Sequence, residues 1–226
     1  DQFSITVGQI PFYDSWALIN VNKKKILNVN DCILESPNKI YEIERCTGKV
    51  DILFTQFSYA NWVEGGSTNK KKREELADTK LDKIKMQSQI LLPKYIVPFA
   101  SMIRFCHKEN QYMNDSINTP RKTVEFISSN TLSKPILMKP YDVWNGEDPT
   151  NNEDSMKFWD EAYKTALQRK LLKQEKFFNE EDITQAYENL INRVKKKNNF
   201  FLIQLLSMIG LIRSQRIKIL DINKIY

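Results

Sequence analysis

The chain has 226 residues, 41% hydrophobic and 27% charged, which is the composition of a globular protein with room for one large domain or two small ones. Its single histidine, His107, excludes a zinc site built from several histidines of this chain alone. Three widely spaced cysteines, Cys32, Cys46 and Cys106, form no CxxC pair and no disulfide framework, which points to a reducing, cytoplasmic compartment.

The net charge of +6 is unevenly placed. Residues 193–226 hold eight Lys or Arg against one acid, Asp221, so the tail carries +7 and the preceding 192 residues carry −1. A basic tail of this kind can dock on an anionic surface, but a solvated helix end explains it as well. A nucleic-acid partner is not expected. The longest apolar run, Phe200 to Ile212, is broken by Gln204, Ser207 and Gly210 and falls short of the roughly 18 residues of a membrane span.

In chain order, strand-like runs occur at residues 4–7, 16–21, 25–30 and 50–56, with Asn22-Lys23-Lys24 reading as a hairpin turn. A helix follows over about residues 69–92, with Ala77, Leu81, Ile84 and Leu91 at helical spacing and Pro93 ending it. Further strands are expected at residues 95–99, 123–127 and 135–138. Loop residues around 145–152 then mark a join. Beyond it lie helices at about 154–173 and 180–197, whose apolar stripes, such as Ile183, Tyr187, Leu190 and Val194, read as core packing, and residues 200–208 read as a third, short helix or as a buried strand. The chain opens and closes in strand-like runs, so we expect a segment of a longer protein.

Four features could carry chemistry. Asp31 ends the 25–30 strand, where a carboxylate can reach a cleft or simply cap a turn. Asp14, just before the preceding strand, fits an Asx-turn equally well. His107 leaves an apolar run at a loop junction and has a structural alternative. Tyr112 and Asp115 follow it closely.

In their order these blocks resemble one known family. Asp14-Ser15-Trp16, the run Lys25-Ile26-Leu27-Asn28-Val29-Asn30-Asp31-Cys32, the strand Val50 to Gln56, Gly65-Gly66, and Pro93-Lys94-Tyr95-Ile96-Val97-Pro98-Phe99-Ala100-Ser101 are similar to the metallo-β-lactamase-fold part of CMP-N-acetylneuraminate hydroxylase and its bacterial relatives. Ser101 stands where that family has glycine. The likeness covers roughly half of the chain, from Tyr13 to Asn118.

The resemblance implies an α/β fold: the second half of a metallo-β-lactamase αββα sandwich over residues 1–140, then a helical extension over 141–212 and the start of a strand-rich segment at 213–226. It implies a divalent metal (iron, manganese or zinc) held by Asp31, Asp14 and His107, with further ligands, including a His-x-His-x-Asp-His motif, in a missing N-terminal half. Tyr112 and Asp115 would face a sugar or nucleotide-sugar substrate. No residue is singled out as a catalytic acid, base or nucleophile. The Rieske pattern of the hydroxylase is missing from this sequence, so the implied activity is a metal-dependent hydrolase or hydroxylase-like enzyme. The alternative is a non-catalytic binding or scaffold protein that keeps the fold without the metal. Half a sandwich would also expose an apolar sheet face and favour self-association.

Overall fold

The structure is a computed structural model that describes residues 3–10, 14–63, 66–148, 151–170, 179–211, 218–219 and 224–225. The chain divides into two compact units, Asp1–Lys173 and Gln174–Tyr226. The first is mixed α/β. Its six-stranded sheet has the order β1 (Phe3–Ile10), β2 (Asp14–Val21), β3 (Lys24–Asn30), β4 (Ile52–Gln56), β5 (Tyr95–Phe99) and β6 (Lys134–Pro135).

β1, β2 and β3 form an antiparallel meander, and β3 through β6 are parallel. The β2–β3 turn places Asn22 and Lys23 at φ 49° and 64°. Positive φ at both central residues is what a tight right-twisted hairpin requires, and Asn supplies it without glycine. Gly8 lies opposite Trp16, and a Cβ there would fall 2.0 Å from an indole carbon. Only glycine lets the ring lie across the neighbouring strand.

Each parallel crossover carries a helix: α1 (Pro37–Thr47), α2 (Lys70–Leu91) and α3 (Pro120–Asn130). Crossovers that step the same way along a sheet put their helices on one face. Trp16, Leu18, Leu27, Leu53 and Ile96 point to that face and pack with Ile40, Ile43, Leu81, Ile84 and Ile127 in the main core. The other face is also apolar but covered only in part. Ile52, Tyr95, Val97 and Ile136 are buried there, with Met138 and Trp144 packed against them. Toward β1 it lies open: Phe3, Ile5 and Val7 are 62%, 56% and 67% exposed.

Residues 123–127 are helical, not a strand. Thr119 caps α3 by accepting the Lys122 N–H at 3.2 Å, Pro120 sits at its first position, and Thr123, Val124 and Ile127 form the buried side. Capping and tertiary burial outweigh the β-branched composition that suggested a strand. β6 is likewise shorter than residues 135–138, although Ile136 still donates its N–H to Ile96 O. α1 lies where no element was expected, started by Ser36-Pro37 and ended by Gly48 at φ 68°.

α4 (Asn152–Gln168) belongs to the first unit and half-buries Met156, Trp159 and Tyr163. Trp159 donates to Met138 O at 3.0 Å, and Arg121 of α3 pairs with Asp160 at 2.6 Å. The second unit holds α5 (Glu180–Lys197), with an Asn179/Asp182 capping box, and α6 (Phe200–Met208). The α5 stripe is not a closed core within that unit: Tyr187 and Leu190 are 51% and 56% exposed. β7 (Lys218–Ile219) and β8 (Lys224–Ile225) pair antiparallel, where the closing strand-like runs were expected. Among the described residues no helix is long and apolar enough to cross a membrane.

Candidate functional site at the carboxyl rim of the parallel strands

Parallel β3, β4 and β5 end on one rim, and antiparallel β2 begins there. This topology brings Asp14 to the exit of β3. The backbone turns sharply after that strand: Asn30 adopts φ 43°, and the Cys32 N–H closes the turn on Val29 O at 2.9 Å. The Asn30 amide donates to Asp31 Oδ1 at 2.5 Å, and Asp14 Oδ2 accepts the Ile33 N–H at 3.1 Å.

In the same turn lies Cys32, whose thiol donates to Ser15 O at 3.4 Å. Burial, then the negative charges of Asp14 and Asp31, push this thiol up to about 11. All three effects disfavour the thiolate, so Cys32 is a poor nucleophile here. From the helical layer Lys80 reaches the same rim and donates to Gln56 Oε1 at 2.6 Å. Burial and neighbouring Lys83 lower its pKa, while Asp31 and Glu35 oppose that shift.

His107 does not join Asp14 and Asp31. It is exposed, and its backbone N–H donates to Asn110 Oδ1 at 3.2 Å in a tight turn. Among the described residues no three His, Cys, Asp or Glu side chains come close enough to share a metal ion. Carboxylates are the right donors for a hard cation, but a catalytic centre of the zinc type takes three protein ligands. This chain's described residues place two carboxylates beside the turn after β3 and do not by themselves fit the implied metal.

Tyr112 and Asp115 are engaged elsewhere. Arg73 of α2, only 1% exposed, donates from Nε to Asp115 Oδ1 at 2.9 Å and from Nη2 to Oδ2 at 2.5 Å. Its guanidinium also lies 5.0 Å from the Tyr112 ring centroid and donates to Ser67 O at 3.3 Å. The Arg73 hydrogen bonds hold the Asp115 carboxyl below the usual carboxylate range. Tyr59 completes the group by donating to Met113 O at 2.6 Å, its phenol raised to about 12 by burial and then Asp115. The arrangement clamps the 111–115 turn onto α2.

A polar hub that sequence reasoning missed supports the rim. Buried Ser101 accepts the N–H groups of Phe57 and Ser58, each at 3.1 Å. Asn118, also buried, donates to Phe57 O at 2.9 Å and Ala77 O at 2.6 Å, and its N–H donates to Ser58 Oγ at 3.0 Å. These bonds fasten the loops after β4 and β5 to α2. The only sequence signal was Ser101 in place of the glycine of the resembled family. Comparison of the chain with protein-family models, curated proteins and solved structures finds no match.

Proposed function

We propose that this chain is one layer of a metallo-β-lactamase-type, metal-dependent enzyme, and that it contributes Asp14 and Asp31 to a centre whose remaining donors lie on a second layer. The observation that carries this reading is that both carboxylates border the turn after β3 at the carboxyl rim, Asp31 within it and Asp14 bonded to its Ile33 N–H. Ligand sites in open α/β sheets lie outside the carboxyl ends of the strands. The half-covered apolar face toward Phe3, Ile5 and Val7 is a further support, because a second sheet of an αββα sandwich would cover it. Hydrolase or hydroxylase-like chemistry on a sugar or nucleotide-sugar rests on the sequence resemblance alone. Free Cys32, Cys46 and Cys106 support a reducing, cytoplasmic setting.

The test is metal content of the protein in its complete, two-layer form, beside Asp31→Ala and Asp14→Ala. Loss of metal in both variants is expected, and unchanged content in both overturns the assignment. The Arg73–Asp115 clamp and the exposed His107 favour a second reading, a metal-free binding or scaffold protein. Under that reading the complete protein carries no stoichiometric metal at all.

A further inference from the structure

The two edges of the sheet are treated differently. β6 is two residues long and consists of Lys134 and Pro135, a charge and a residue that cannot donate to another strand. Both are devices that keep a sheet edge from pairing. β1 has none of them. It runs for eight residues, Phe3-Ser4-Ile5-Thr6-Val7-Gly8-Gln9-Ile10, with no charge and no proline. Its ladder with β2 is continuous from Phe3↔Val21 to Ile10↔Asp14, without a bulge to twist it aside. Among the described residues no strand pairs with its outer edge.

From this asymmetry we infer that β1 is a pairing edge for a second copy of the same chain, joined antiparallel about a two-fold axis through Ile5 into one sheet of twice the width. The strand is self-complementary in that register. Ile5 meets Ile5 of the second copy, Phe3 meets its Val7, and Ser4 meets its Thr6. Apolar residues then face apolar ones on the open side and hydroxyls face hydroxyls on the other, the matching that stabilises cross-strand pairs. Shifting the axis loses this match: centred on Thr6 it sets Phe3 against Gln9, and centred on Ser4 it sets Val7 against Asp1. An isologous contact of this kind closes after two copies.

One strand edge from each copy lies at the small end of protein interfaces, the range of a weak, reversible dimer. We therefore expect dissociation constants of about 1–100 µM. This inference is independent of the metal reading, because it uses the edge of the sheet and not the rim.

Light scattering across a concentration series tests the state: the mass is expected to rise from 26.6 kDa toward twice that value. Single cysteines then read the register, with the parent chain as blank for its own thiols and Leu132→Cys as a fully exposed control away from β1. Ile5→Cys is expected to oxidise to a covalent dimer. Phe3→Cys and Val7→Cys, each roughly 13 Å from its own copy across the axis, are beyond disulfide reach and stay uncross-linked alone. Mixing those two is expected to restore the cross-link. A monomer at all concentrations overturns the inference, and so does equal cross-linking of all three single variants, which would mean association through the sheet face or without register.

Discussion

Asp115→Asn separates a structural role for this carboxylate from a substrate-facing one. The substitution takes the Asp115 charge away from the Arg73 guanidinium, which is 1% exposed. Breaking a fully buried pair costs about 3–5 kcal/mol because the remaining charge stays buried. Asp115 keeps 33% of its side chain exposed, so solvent screens part of the interaction. We therefore expect a loss of about 2–3 kcal/mol. In urea, with a slope near 2 kcal/mol/M, the midpoint falls by about 1–1.5 M. Because the folded state holds Asp115 below its ordinary carboxylate range, its contribution is complete above the unfolded pKa. It is lost as pH falls through the lowered folded value. The gap between the parent protein and Asp115→Asn is thus widest at neutral pH and closes in the acid range below ordinary carboxylate titration. Equal midpoints at neutral pH, or a gap that ignores acidification, would refute the clamp.

Three further outcomes follow from the geometry. Gly8→Ala forces a methyl group into the Trp16 ring and is expected to destabilise by about 1–3 kcal/mol; an unchanged melting temperature would mean that the indole does not lie across β1. With its thiol raised to about 11, Cys32 should alkylate far more slowly at mildly alkaline pH than exposed Cys46, and Asp14→Asn or Asp31→Asn should accelerate it by removing a neighbouring negative charge. Equal rates in parent and variants would show that the carboxylates do not face the thiol. Ser101→Ala strands the N–H groups of Phe57 and Ser58 and should cost about 1–3 kcal/mol in chemical denaturation, with Ser101→Thr closer to the parent.

The strands of the meander, α2 and α5 were legible in the sequence because period, turn residues and caps agreed there. Asn22-Lys23 reads as a turn and adopts one, and Asn179 with the acidic first turn of α5 forms its capping box. Residues 123–127 were misread because Thr and Val favour strands locally, while Thr119-Pro120 and burial against the sheet decide for a helix. α1 carried its signals, Ser-Pro before and Gly after, but between two strands they resemble ordinary loop punctuation. The placing of Asp14 at the exit of β3, beside Asp31, depends on β2 and β3 being antiparallel neighbours, which a hairpin turn predicts. The capture of Asp115 by Arg73 spans 42 residues and two elements, and no local pattern encodes it.

The central claim, that Asp14 and Asp31 form a two-carboxylate half-site on the rim, is tested most directly by titrating Mn²⁺ into the isotope-labelled chain and following paramagnetic broadening of its amide signals. The account predicts weak binding, with a dissociation constant of about 1 mM, that broadens Asp14, Asp31, Cys32 and Ile33 first and spares His107. Broadening centred on His107, or signals at the rim that stay sharp while others fade, would contradict it.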